Sequence, residues 1–159
     1  MLNMISHGNH SGTPLVIAHG LFGSGRNWGV IARRLSNKRR VITLDMRNHG
    51  SSPWLPDHSY AAMAADISEI ITKIDEPIDL LGHSMGGKAS MLAALTNAPI
   101  RRLIVADIAP VAYAHTQQHL IDAMQALPLT KLSSRLDADV ALKKTCLLYT
   151  SPSPRDEVL

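Results

Sequence analysis

The sequence predicts an α/β fold, a mostly parallel sheet with helices on both faces, of which this chain holds the N-terminal portion. Three observations predict it. Short apolar runs alternate with longer segments of helical periodicity. The apolar runs are continuous, as in strands covered on both faces. Stretches rich in Gly, Ser, Asn and Pro fall directly after those runs, where open α/β sheets hold their ligands.

The elements follow in order. Residues 15–19 (LVIAH) are entered after Pro14 and left at Gly20, which predicts a first buried strand. Over 27–35, Trp28, Ile31, Ala32 and Leu35 recur at helical spacing and predict a helix buried on that face. The cluster Lys38-Arg39-Arg40 reads as a solvated turn before a second strand over 41–44. Residues 45–56 form a loop. A helix over 63–74 places apolar residues at 63, 67, 70, 71 and 74 on one face, and Pro77 stops it. A third strand spans 78–81, and a third helix, 84–95, stacks Met85, Ala89, Leu92 and Ala93. Residues 102–106 (RLIVA) give a fourth strand, and 115–127 and 132–144 read as looser helices. The domain reading is therefore a core over 1–113, the start of a helical cap over 114–145, and a non-native tail over 146–159. The string CLLYTSPSPRD in that tail resembles a translated sequencing adapter, so the native sequence is expected to stop near Thr145.

Composition excludes several classes. With 16 Lys plus Arg against 13 Asp plus Glu, the net charge of +3 over 159 residues is too small to mark a nucleic-acid protein. No apolar run reaches the roughly 20 residues of a membrane span, and the N-terminus lacks a secretory pattern, so the expected compartment is the cytoplasm. Cys146 is the only cysteine, which excludes an internal disulfide and a cysteine-based zinc site.

The strongest chemical signal is Gly82-His83-Ser84-Met85-Gly86-Gly87, a Gly-x-Ser-x-Gly set between an apolar strand and a helix. A nucleophile on so sharp a turn needs neighbours without bulk, and Gly82 and Gly86 let the backbone bend so that Ser84 projects above the sheet. The second signal is His19-Gly20-Leu21-Phe22-Gly23-Ser24 after the first strand. A tetrahedral acyl intermediate needs two preorganised donors for its oxyanion. The N–H groups of Met85 and Leu21 are the candidates, with Phe22 as an apolar wall of the acyl pocket and His83 packed beside the nucleophile at the pocket's edge. His19 is read as a structural histidine bracing the loop, because a base so early in the chain breaks the order Ser, acid, His.

These motifs, HGLFGS at 19–24, DMRNHGSSP at 45–53, GHSMGGK at 82–88 and ADIAPVAY at 106–113, together resemble the α/β-hydrolases, and within them the bacterial YbfF-type acyl esterases. The resemblance implies hydrolysis of carboxylic esters and acyl thioesters, including acyl-CoA, on a small-molecule substrate and without metal or organic cofactor. It makes Ser84 the nucleophile and Asp107, the aspartate of the DIAP motif, the acid of a triad. The alternative for Asp107 is a cap on residues 108–110. Asp45, Arg47 and His49 are read as organising hydrogen bonds around the nucleophile turn, with a phosphate of CoA as the weaker alternative for Arg47. His115 and His119 have metal-ligand spacing but lack a carboxylate motif, and are read as surface histidines of a cap helix. The alternatives to an esterase are other cofactor-free chemistry on this fold, such as C–C hydrolysis or haloperoxidase-like reactions, and a non-catalytic binding module. Because the last histidine, His119, follows Asp107 too closely to be the base, these 159 residues are expected to lack a competent site.

Overall fold

The computed structural model describes residues 1–96, 98–113, 116 and 118–145. They form two compact units, divided between Val111 and Ala112. In the first, a five-stranded sheet runs in the order β1-β3-β2-β4-β5, from β1 (Asn3–His7), β2 (Leu15–Ala18), β3 (Val41–Asp45), β4 (Ile78–His83) and β5 (Ile100–Ala106). All neighbouring pairs are parallel except β1 with β3. The four predicted strands are present, each within two residues of its expected bounds. β1 was not anticipated: its five residues alternate between half-buried and exposed, and it pairs only with β3.

Alternation along the strands sorts the core into two layers. Val16 and Ala18 of β2, with Ile42 and Leu44 of β3, point to the side covered by α2 (Tyr60–Ile74) and α3 (Met85–Ala94), and meet Met63, Ile67, Ile70, Ile71, Ala89 and Ala93. Leu15, Ile17 and Val41 point the other way, onto Ala32 of α1 (Gly29–Leu35). Helix α2 begins three residues before its predicted start because the Ser59 hydroxyl caps it, accepting from Ala62 N–H. It ends at Asp75 in the left-handed region, φ 56°. The face predicted for the first helix is corrected. Residues 25–28 form a 3₁₀ turn ahead of α1, which rotates the expected stripe, and only Ala32 is buried while Ile31 and Leu35 stay exposed.

β2 connects through α1 to β3 on one side of the sheet, whereas its other neighbour, β4, connects through α3 to β5 on the opposite side. The chain therefore switches direction between β2 and β4, and crevices of open α/β sheets lie at such a point. The described part of the second unit holds α4 (Gln118–Gln125), a 3₁₀ turn, Leu129–Lys131, and α5 (Arg135–Thr145), with Ala123 and Leu142 buried. Asp137 and Ser134 cap α5 reciprocally: the carboxylate accepts from Ser134 N–H at 3.0 Å, and the Ser134 hydroxyl from Asp137 N–H at 3.2 Å. No described helix is long and apolar enough to cross a membrane. The expectations for His115 and for the tail 146–159 lie outside the described residues.

Candidate active site

The switch point brings together the two motifs singled out in the sequence. Ser84 stands between β4 and α3 at φ 48°, ψ −114°, a strained conformation for any residue with a Cβ. Its own N–H is tied to Ala106 O at 3.0 Å, and its carbonyl accepts from Lys88 N–H at 3.1 Å. The glycines around it are obligatory. A Cβ on Gly82 would stand 2.5 Å from Gly86 O, and one on Gly86 would stand 2.4 Å from His19 O. The same contacts seat the start of α3 against the end of β2. A Cβ on Gly20 would lie 3.2 Å from Ser84 Cβ and 2.7 Å from His83 Nδ1, so the loop after β2 lies directly against the Ser84 turn.

That loop is a tight turn, closed by Gly23 N–H donating to Gly20 O at 3.0 Å, with Phe22 at φ 62°. The Phe22 N–H is taken by His49 Nε2 at 3.2 Å, which leaves Leu21 N–H as the donor next to Gly20. On the helix side, α3 starts without a capping side chain, so Met85 N–H, its first donor, points out of the helix end with no side chain to satisfy it. Leu21 and Phe22 are both exposed, and Met85 is buried. His83 is half-exposed, lies edge-on to Trp28 at 6.0 Å, and places Nε2 3.6 Å from Asp107 Oδ2. Asp107 follows β5 at φ 59° with its side chain largely exposed, and His83 is its partner among the described residues. Lys88 ties α3 to the segment after Asp107 by donating to Val111 O at 2.6 Å, with its ammonium 5.9 Å from the Tyr60 ring.

Beneath these groups is a scaffold of hydrogen bonds. His19, 1% exposed, accepts Met46 N–H on Nε2 at 3.0 Å and therefore carries its proton on Nδ1, which donates to Gly20 O at 2.7 Å. Burial pushes its pKa down, so the ring stays neutral. Burial pushes the Asp45 carboxyl up, but the bonds it accepts from Ser51 N–H (2.8 Å), Gly25 N–H (2.7 Å) and Asn3 Nδ2 (2.9 Å) outweigh this and hold it below its ordinary value. Asp45 thus clamps the loops after β2 and β3 together. Arg47 is buried, with Nε and Nη2 on the Asp66 carboxylate at 2.6 and 2.8 Å and Nη1 on Asp57 O at 2.7 Å. That engagement corrects the alternative in which Arg47 meets a phosphate. Sequence reasoning missed Asp66, the partner on α2, and Asn48, whose amide bridges both backbone groups of Leu55. His119 lies exposed on α4, and no cluster of potential metal ligands occurs among the described residues.

In keeping with a mostly parallel five-stranded sheet and a serine on a strained turn after β4, a family model described as the alpha/beta hydrolase family matches residues 15–155. The chain belongs to that family. It is 42% identical over 140 residues to esterase YbfF of Escherichia coli strain K12, covering 85% of this chain and 54% of that protein. It is also 44% identical over 128 residues to the sn-1-specific diacylglycerol lipase ABHD11 of Xenopus tropicalis, covering 77% of this chain and 40% of that protein. The solved structure of a marine microorganism esterase superposes with a TM-score of 0.81 at 38% identity, covering 91% of this chain and 58% of the other. The chain spans about half the length of the curated relatives it matches.

Proposed function

We propose that this chain carries the nucleophile, the oxyanion donors and the acid of a serine esterase acting on carboxylic esters, with acyl thioesters as a second substrate class. The observation that supports this most is the strained turn at Ser84, packed within van der Waals reach of the Gly20-Leu21 loop. Relatives named as an esterase and as a diacylglycerol lipase point to the same bond type.

In this reading Ser84 Oγ attacks the acyl carbonyl while a histidine base takes its proton. The oxyanion that forms accepts from Leu21 and Met85 N–H. Collapse expels the alcohol or thiol with that proton and leaves an acyl-serine, which water then hydrolyses by the same route. Asp107 orients the base and stabilises its cation. Ser84 Oγ has no hydrogen bond to a histidine among the described residues, so the reading takes its base from the length of the relatives that the chain does not span.

The test is the burst of nitrophenol from nitrophenyl acetate on the full-length gene product. The wild type should show a burst of one equivalent per site and Ser84→Ala none. A burst retained by Ser84→Ala overturns the assignment. The 159-residue chain alone should show turnover far below that of the full-length protein, and equal, Ser84-dependent turnover would place the base within these residues.

A further inference from the structure

We propose that His49 is a positioning residue that sets the Leu21 oxyanion donor by gripping the backbone of Phe22. The proposal rests on the serine esterase reading.

Phe22 occupies the left-handed region at φ 62°, unfavourable for a residue with a Cβ, so something outside the turn must hold it there. His49 supplies that hold. Phe22 N–H donates to its Nε2 at 3.2 Å. A backbone N–H is a donor only, so Nε2 is unprotonated, and the ring's proton sits on Nδ1 and donates to Arg47 O at 2.9 Å. His19 makes the mirror arrangement, accepting Met46 N–H and donating to Gly20 O. Each loop therefore offers one histidine to the backbone of the other, and the two rings meet edge-on at 5.1 Å. The outer face of His49 stacks on His58 at 5.7 Å.

The far end of this strut is anchored. Arg47, whose carbonyl orients the His49 ring, is locked by Asp66 on α2 and by Asp57 O. A rigid helix is thus connected through Arg47 and His49 to Phe22, one peptide away from the Leu21 donor. His49 also removes a competitor. By occupying Phe22 N–H it leaves a single loop donor beside Ser84, which fixes where an oxyanion can sit. Loss of the acceptor should free Phe22 to relax towards negative φ, and the Leu21 peptide turns with it.

Two variants of the full-length gene product separate positioning from bulk packing. His49→Leu keeps apolar volume but has no acceptor, while His49→Gln restores an acceptor oxygen near the position of Nε2. Loss of a complete oxyanion donor costs roughly 10²–10³ in turnover. Misplacement of one should cost less, so His49→Leu is expected to lower kcat on nitrophenyl acetate about 10- to 100-fold, below that range, with KM nearly unchanged. His49→Gln should recover most of the loss. A second readout needs no activity: in ¹⁵N-labelled protein the Phe22 amide should exchange slowly with solvent in the wild type and in His49→Gln, and fast in His49→Leu. Wild-type kcat in His49→Leu would overturn the proposal. So would equal loss in both variants with unchanged Phe22 exchange, since that pattern belongs to general destabilisation. If Ser84→Ala kept full activity the serine reading would fail instead, and Phe22 exchange would still decide whether His49 holds the loop.

Discussion

The two ends of the sheet are built to opposite rules. At the amino end, Asp79 of β4 is 1% exposed, yet its carboxylate is fully served: Arg101 of β5 binds it through Nε and Nη2, both at 3.0 Å, and Arg39 through Nη2 at 2.8 Å. The Arg101 fork, helped by Arg39, holds its pKa below the ordinary carboxylate value. One described residue there other than glycine has a positive φ, Asp75 at 56°, where α2 ends ahead of β4. At the carboxyl end, Phe22, Asn48, Ser84 and Asp107 follow four successive strands and all have φ between 48° and 63°. Such conformations cost about 1–3 kcal/mol each and persist only where surrounding structure enforces them. At the amino end the buried carboxylate is satisfied and the one left-handed side chain, Asp75, only ends a helix, whereas the carboxyl end gathers four strained residues beside an exposed loop. The difference teaches where this fold stores its stability and where it places its chemistry.

Substitutions at the two ends should therefore separate function from stability. The largest effect is expected from Asp107→Asn in the full-length gene product, which should lower turnover by about 10⁴-fold, as loss of the acid does in the Ser-His-Asp template. Its melting temperature should hardly move, because the side chain is 84% exposed. Steady-state kinetics beside a thermal scan read both, and unchanged turnover would move the acid elsewhere in the chain.

The converse belongs to the amino end. Asp79→Asn should destabilise by about 3 kcal/mol, the lower part of the range for breaking a buried ion pair, because Arg101 is half-exposed and can rehydrate. Its kcat should equal that of the wild type. A carboxylate with a depressed folded pKa contributes stability above its unfolded value, near 3.9, and loses it as pH falls through the folded value. Urea titrations should accordingly show the wild type losing this advantage over Asp79→Asn below about pH 4.

The smallest effect sharpens the comparison most. Ser84→Gly removes the Cβ that makes φ 48° costly, so it should raise stability by about 1 kcal/mol in a urea titration. A loss of stability would mean that the Ser84 turn holds no strain.

How much of this was legible in the sequence follows the same division. The carboxyl-end motifs are local: Gly82, Ser84 and Gly86 lie within one turn, and the closeness of their backbones dictates their types, so spacing alone exposes them. The bonds that organise the site are not local. Arg47 finds Asp66 19 residues away, Phe22 finds His49 27 away, and Asp79 finds Arg39 40 away. Periodicity holds no signal for such pairs. The three basic residues at 38–40, read as a solvated turn, include the partner of a buried carboxylate, because a charge run gives no hint of which member folds back. β1 escaped for another reason: Asn3, Ser6 and His7 interrupt any apolar run, and one of its faces is only half-buried while the other is exposed.

The central claim, that the strained turn after β4 presents an activated nucleophile, is tested most directly by covalent mapping. Full-length gene product treated with a fluorophosphonate at neutral pH should gain one adduct, and tandem mass spectrometry should locate it on Ser84. An unlabelled Ser84 in folded protein, or an adduct on another serine, would contradict the account.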